Sequence, residues 1–172
     1  MVHKNHKITL EEYGSTSTTF YVNGLFFKFL VMWGHCDVYK REKYLASILK
    51  QFDWFPTLLF SYDEKRLLIY KKCGVRINKD NCPKDINSQL DKILKDLQSV
   101  NIQHNDIKTE EILVDSSGKV YLCDFGWGSI NNSLNCGIDI WGGNNKKKPG
   151  GWGGGDECRI RKYKSLFSSW IK

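Results

Sequence analysis

Apolar and polar positions in the first part of the chain predict an antiparallel sheet with one helix inserted. Strands are expected at residues 7–13, 19–22, 25–31, 58–62 and 66–70. The pair Asn23-Gly24 indicates a tight hairpin turn between the second and third strands, because both central positions of such a turn need a positive φ. Residues 38–52 repeat apolar positions at helical spacing after Asp37, which suits an N-cap. Five strands and one helix are therefore expected in succession.

The second part of the chain predicts helices and one short hairpin. Apolar residues recur at helical spacing between residues 86 and 97, and this stripe is expected to be core. Two apolar runs, 112–114 and 120–123, flank a turn-forming segment and predict a hairpin. A last helix is expected after Asp156, which would serve as its cap. The whole pattern predicts a single α+β domain over residues 1–172.

Two segments are expected to lack regular structure. Residues 75–85 are predicted to form a polar loop. Residues 142–155 contain seven glycines and three lysines. This composition favours a flexible loop over a cradle of backbone N–H groups for a phosphorylated substrate.

The composition is typical of a globular, cytoplasmic protein. With 172 residues, of which 41% are hydrophobic, the chain can bury the core of one domain. No run of 18 apolar residues occurs, so no membrane span is expected, and the polar start lacks a signal-peptide core. The six cysteines are scattered without a C-x-x-C pair, which favours reduced thiols. Frequent Lys, Asn and Ile hint at an AT-rich, viral genome.

The net charge of +7 raises the question of a nucleic-acid partner. Apart from residues 146–148, however, the positive residues are spread along the chain. Charge by itself predicts attraction and says nothing about fold. A nucleic-acid partner is therefore an open alternative that the sequence does not favour.

Two short motifs flank the predicted hairpin. His104-Asn105-Asp106 precedes it, and Asp124-Phe125-Gly126 follows it. Because a hairpin returns the chain close to its starting point, the two aspartates are expected to converge at one end. These motifs, in this order and with Lys108 two residues after the first aspartate, resemble the catalytic loop and metal-binding motif of the protein kinase-like superfamily.

The resemblance implies a two-lobed fold, with a five-stranded N-lobe sheet and one helix in residues 1–72. Residues 73–172 would form a reduced, mainly helical C-lobe. Little chain follows Gly126, and no Ala-Pro-Glu motif is present. In this respect the sequence is similar to compact atypical kinases, such as the KEOPS-complex kinase, the RIO kinases, and the lipopolysaccharide and choline kinases.

The resemblance also implies a set of residues that bind a nucleotide. Lys28, within the apolar run 25–31, would hold the phosphates of ATP and pair with Glu42, which shares the apolar face of the predicted helix. The alternatives are a solvent-exposed Lys28 and a half-exposed Glu42 beside Arg41 or Lys43. The other nucleotide-binding positions implied are the phosphate-covering turn at Gly14, Ser15 and Thr16, and the interlobe hinge at Lys72 and Cys73.

The catalytic and metal positions follow from the same motifs. Asp106 would take the proton of the acceptor hydroxyl, and Lys108 would steady the γ-phosphate. Asp124 would ligate Mg²⁺. The family's asparagine falls on Glu111, whose carboxylate is a suitable ligand for a hard cation but adds negative charge near the phosphates.

Three classes of function remain open on the sequence. The first is an ATP- and Mg²⁺-dependent phosphotransferase, with a protein serine or threonine hydroxyl favoured over a small-molecule or lipopolysaccharide acceptor. The second is a weak or inactive pseudokinase that binds nucleotide or acts as a scaffold. Glu111 and the loss of two of the usual three glycines in the first turn favour this class. The third is a charge-driven nucleic-acid-binding domain.

Overall fold

The computed structural model describes residues 9–13, 16–33, 36–130 and 155–171. The helices are α1 (Val38–Leu49), α2 (Ile86–Ser99) and α3 (Asp156–Trp170), with 3-10 turns at Thr109–Glu111 and Phe125–Trp127. The strands are β1 (Thr9–Tyr13), β2 (Ser17–Val22), β3 (Leu25–Leu30), β4 (Met32–Trp33), β5 (Cys36–Asp37), β6 (Leu58–Tyr62), β7 (Leu67–Lys71), β8 (Val75–Arg76), β9 (Ile102–Gln103), β10 (Ile112–Val114), β11 (Val120–Leu122) and β12 (Ser129–Ile130). The predicted α+β class is confirmed.

The largest sheet is antiparallel and has the strand order β1-β2-β3-β7-β6. The turn between β2 and β3 has positive φ at Asn23 (51°) and Gly24 (81°), as its sequence predicts. Strand β3 is central, and its Lys28 lies between Thr19 of β2 and Leu68 of β7. Both edges of β3 are therefore paired with neighbouring strands, so the Lys28 side chain projects from one face of the sheet.

Helix α1 packs on this sheet and begins at the predicted cap. The Asp37 carboxylate accepts a hydrogen bond from the Lys40 amide, which satisfies a first-turn donor. The helix ends at Leu49, short of the predicted residue 52, because the chain tightens there and the Phe52 amide donates to the Leu49 carbonyl. The buried face of α1 joins β3 and β7 in one core.

The remaining strands form short antiparallel pairs beside helices α2 and α3. The predicted hairpin is present as β10 and β11, with Ile112 opposite Leu122. The expectation of a polar loop over residues 75–85 is wrong at its start, because β8 pairs with β10. A strand of two exposed residues is too short to leave an alternating pattern in the sequence.

Phe125 is a packing centre between these groups of elements. Its ring is buried, 5.7 Å from Phe55 and 4.5 Å from His104 between centroids. Trp54 lies on another side of the same ring. The residue before it, Asp124, is thereby held at the surface of the core.

Three sequence expectations concern parts of the chain that the structure describes only partly. No described helix is long and apolar enough to cross a bilayer. Cys73, Cys82, Cys123 and Cys158, which lie within the described ranges, are all free thiols. The predicted loop at 142–155 lies outside the described residues except for Gly155.

Candidate functional site

A buried ion cluster joins β3, α1 and the end of the β10–β11 hairpin. Lys28 Nζ lies 2.7 Å from Glu42 Oε2 and 2.9 Å from Asp124 Oδ1. The Tyr70 hydroxyl donates to Glu42 Oε1 over 3.0 Å. Lys28 and Glu42 are only 4% and 2% exposed, so neither charge is compatible with burial unless it is paired. The alternatives of an exposed lysine and a half-exposed glutamate are therefore excluded.

The cluster keeps Lys28 and Asp124 ionised against the effect of burial. Burial disfavours the Lys28 ammonium, but the charges of Asp124 and Glu42 outweigh it and raise the lysine pKa. Burial likewise opposes ionisation of Asp124, yet Lys28 holds the pKa of this carboxyl below its usual range. Burial raises the pKa of Glu42 despite its contact with Lys28. The result is a fixed positive group between two carboxylates.

The backbone at Asp124 is left-handed, with φ 62° and ψ 69°. This conformation costs free energy for a residue other than glycine, and such positions cluster at functional sites. The Asp124 carboxylate accepts from the Gly126 amide over 3.3 Å, which helps to hold the turn. The turn therefore directs the carboxylate towards Lys28.

A second ion-pair group lies beside the first. Lys108 Nζ is 3.2 Å from Asp106 Oδ2 and 3.0 Å from Glu111 Oε1. Burial and the neighbouring charge of Asp124 raise the pKa of Glu111 to about 7. Burial opposes the Lys108 ammonium, but Glu111 and Asp106 raise its pKa overall. Glu111 thus links the two groups, because it pairs with Lys108 and is repelled by Asp124.

A cavity of about 460 Å³ opens onto the cluster. This volume is within the range of small-ligand sites. Phe26, Phe55 and Leu113 contribute apolar walls. The lining also includes Ser17, Thr19, Tyr21, Lys28, Glu42, Tyr70, Lys72, Cys73, Glu111, Cys123 and Asp124. The lining thus combines apolar walls with charged groups that include Lys28, Lys72 and Asp124.

Some predicted positions lie elsewhere. Gly14 and Ser15 are outside the described residues. Thr16 is not among the residues that line the cavity, and its carbonyl accepts a hydrogen bond from the Val31 amide. Ser17 and Thr19, which lie on the same face of strand β2, line the cavity instead. Asp106 and Lys108 do not line the cavity either, and they reach it through Glu111.

The two predicted hinge residues both line the cavity, but in different ways. The Lys72 amide donates to the Gly24 carbonyl over 2.9 Å, so this amide is not available to a ligand. The Lys72 ammonium lies 3.9 Å from the centre of the Tyr21 ring, within cation–π distance. At Cys73, burial raises the pKa of the thiol to about 11, so it stays protonated at neutral pH. A ligand would therefore meet a neutral thiol and backbone groups at Cys73.

Asp156 is a site residue whose role the sequence does not reveal. The predicted role as a helix cap is wrong, because α3 begins at Asp156 with Gly155 as its cap. The buried Asp156 carboxylate instead accepts from the amides of His104 (2.6 Å) and Asn105 (2.9 Å). It thereby anchors the loop that carries Asp106.

The raised pKa of Glu111 gives a testable dependence of stability on pH. Glu111 normally titrates at 4.5 and here titrates at about 7, so the folded protein binds this proton more tightly than the unfolded chain. The stability from the neutral carboxyl is complete below pH 4.5 and is lost as pH rises towards about 7. Glu111→Gln cannot ionise. Its free energy of unfolding relative to wild type should therefore rise through this window, by up to about 1.4 kcal/mol per pH unit.

Urea unfolding of both proteins at several pH values measures this difference. Glu110→Gln is the matched control, because Glu110 is the adjacent, exposed glutamate. Its difference from wild type should not change with pH. A pH-independent difference for Glu111→Gln would show that Glu111 is not held in a destabilising environment.

Metal-binding capacity in this region is limited to pairs of acidic groups. Within the ranges that the structure describes, no group of three or more His, Cys, Asp or Glu side chains forms a metal site.

Comparison of the sequence with known proteins finds no matching family model and no matching curated protein.

Proposed function

We propose that the protein is an ATP-dependent phosphotransferase with a two-lobed, protein kinase-like arrangement. The observation that carries the proposal is the contact of Lys28 with both Glu42 and Asp124 at the wall of the cavity. A strand, a helix and a hairpin supply these three residues, in the chain order that the motifs of that superfamily require. A buried lysine between two carboxylates in the wall of a largely apolar cavity suits a nucleotide with a charged phosphate tail.

The lining of the cavity offers a chemistry for each part of the nucleotide. The apolar walls at Phe26 and Leu113 fit a purine base, and Cys73 also lines the cavity. Lys28 supplies a fixed positive charge for the phosphates. Its ammonium is held in place by Glu42 and Asp124, so the phosphate site is organised before the ligand arrives.

The residues also fit Mg²⁺. This ion is commonly held by one or two carboxylates together with substrate phosphates, without an all-protein cage. Asp124 and Glu111 offer two carboxylates, and burial together with the charge of Asp124 raises the pKa of Glu111, an effect that a bound cation would oppose. When bound, Mg²⁺ would neutralise charge on the phosphates. Glu111 in place of the family's asparagine makes this donor pair more negative.

Asp106 and Lys108 complete the chemistry. The acceptor oxygen forms a bond to the γ-phosphorus, the bond from that phosphorus to the β–γ bridging oxygen breaks, and ADP leaves with the electron pair. Asp106 takes the acceptor proton. Lys108 pairs with Asp106 over 3.2 Å and offsets the charge on the transferred phosphoryl group. Because Lys108 matches the protein-kinase form of the loop, a protein serine or threonine hydroxyl is the favoured acceptor.

A specific observation favours a second candidate, a pseudokinase that binds nucleotide without turnover. The described structure already neutralises the cationic groups internally, with Lys28 on Asp124 and Lys108 on Glu111. A nucleotide would have to compete with these contacts. Binding without phosphoryl transfer is the result that this candidate predicts.

A transfer assay with radiolabelled ATP and a generic protein acceptor tests the proposal. Wild type should transfer label in the presence of Mg²⁺. Asp106→Asn keeps the shape of the side chain but cannot accept the proton, so kcat should fall by about 10²–10⁴-fold. Because Asp106 does not line the cavity, nucleotide affinity should change little.

The control is Asp91→Asn, an exposed aspartate on α2 whose contact is a surface pair with Lys164. It should behave as wild type. ATP-dependent thermal stabilisation without transfer identifies the pseudokinase. Absence of both stabilisation and transfer in wild type rejects nucleotide chemistry altogether.

A further inference from the structure

We propose that Arg41 is a positioning residue for Asp124, acting through the carbonyl oxygen of Gly126. The inference rests on the proposed phosphotransferase function, in which Asp124 is a metal ligand. Arg41 would hold the turn after Asp124 in the one orientation that presents the carboxylate to Lys28 and to the metal. Its effect should therefore appear in metal affinity before it appears in nucleotide affinity.

The contact itself is buried and direct. Arg41 is 0% exposed and is the largest of the fully buried side chains in the described residues. Its Nη1 donates to the Gly126 carbonyl over 3.1 Å. A methionine or leucine would occupy such a space without the cost of desolvating a charge. The guanidinium at this position therefore needs an explanation in terms of what it binds.

Helix α1 packs closely against the turn that contains Gly126, which brings Arg41 within reach of the Gly126 carbonyl. A Cβ atom on Gly126 would lie 2.7 Å from Val38 Cγ1, and one on Gly128 would overlap Leu45 Cδ1. Both glycines thus allow side chains of α1 to pack directly against the backbone of the turn. In this close contact the Arg41 guanidinium reaches the main-chain oxygen of Gly126.

The same helix is also linked to the Asp124 carboxylate, through Lys28. Glu42, next to Arg41 in the sequence, binds Lys28, and Lys28 binds Asp124. Arg41 holds the backbone after Asp124, while Glu42 acts on its carboxylate through Lys28. Two adjacent residues of α1 therefore fix both the main chain and the side chain at this position.

This arrangement explains how Asp124 keeps a left-handed backbone. A non-glycine residue at φ 62° needs support from its surroundings. The Arg41 bond fixes the carbonyl of Gly126, two residues after Asp124, and the buried Phe125 ring fixes the residue between them. Without the guanidinium, the turn can relax and carry the carboxylate away from its position beside Lys28.

The test is the dissociation constant of Mg²⁺, measured by calorimetry on the full chain in the presence of a non-hydrolysable ATP analogue. Arg41→Met removes the donor and keeps most of the volume. It should weaken Mg²⁺ binding by about 10-fold or more, as losses of groups that orient metal ligands do. The KM for ATP should change far less than kcat, because Arg41 does not line the cavity.

Two further variants make the result decisive. Lys40→Met is the matched control, an exposed residue on the same helix, and should bind Mg²⁺ as wild type does. Arg41→Lys keeps the charge but has a shorter chain, so it should weaken Mg²⁺ binding less than Arg41→Met. If Arg41→Met does not fold, Arg41→Lys decides the question, and an unchanged Mg²⁺ constant in that variant overturns the proposal.

The outcomes separate this inference from the proposed function. Wild type that binds Mg²⁺ with nucleotide, together with a folded Arg41→Met of unchanged Mg²⁺ affinity, overturns the positioning role alone. Wild type that binds neither nucleotide nor Mg²⁺ overturns the proposed function and this inference with it. Equal losses in Lys40→Met and Arg41→Met would show that α1 as a whole, and not Arg41, is responsible.

Discussion

Replacing Asp124 with asparagine is expected to lower kcat for phosphoryl transfer by at least about 100-fold while the fold stays intact. Asparagine has nearly the same shape and tolerates the left-handed backbone that Asp124 adopts. Its amide oxygen can still accept from the Gly126 amide. What the variant loses is the negative charge that lies 2.9 Å from Lys28 Nζ. A change in activity therefore reports on that charge and not on folding.

Steady-state transfer assays over a range of Mg²⁺ concentrations measure this effect. The variant should need more Mg²⁺ and should remain slow at saturation. Asp91→Asn again provides a surface aspartate for comparison, and its kcat should equal that of wild type. If Asp124→Asn retains wild-type kcat and Mg²⁺ dependence, Asp124 is not a metal ligand.

Lys28→Met is expected to produce the largest loss of stability, about 3–5 kcal/mol in the free energy of unfolding. The variant leaves the Glu42 carboxylate 2% exposed and without its ammonium partner. Tyr70 supplies one hydrogen bond to Glu42, which is too little to solvate a buried charge. Urea unfolding of the variant and of wild type measures the loss.

The double variant Lys28→Met/Glu42→Gln separates stability from function. Removing the stranded charge should recover a large part of the lost stability, because a neutral amide is cheaper to bury. Nucleotide binding should stay lost, since no cation remains for the phosphates. The account of a paired buried charge would be contradicted if Lys28→Met were as stable as wild type. It would also be contradicted if the double variant were no more stable than Lys28→Met.

The parts of the fold that the sequence predicts are those set by local pattern. Asn23-Gly24 predicts its turn because few other residue pairs adopt positive φ at both positions. The hairpin of β10 and β11 follows from two apolar runs around turn-forming residues. Lys28 and Glu42 are predictable as a pair because each is a charge in an apolar pattern, and burial of either needs the other.

The parts that the sequence misses depend on contacts between distant segments. Asp156 binds the His104 amide across 52 positions in the chain, and nothing in its neighbourhood shows that its carboxylate points inward. The burial of Arg41 beside Gly126 depends on two glycines that admit the helix to the turn. Strand β8 exists only because β10 lies beside it. These features follow from packing, which local periodicity does not encode.

Calorimetric titration of the wild-type protein with ATP, with and without Mg²⁺, tests the central claim most directly. The account predicts binding in the concentration range usual for enzyme substrates, strengthened by Mg²⁺ and lost in Lys28→Met/Glu42→Gln. No binding at millimolar ATP would contradict the account. Binding that the double variant retains in full would contradict it as well, because the ligand would then not use the buried lysine.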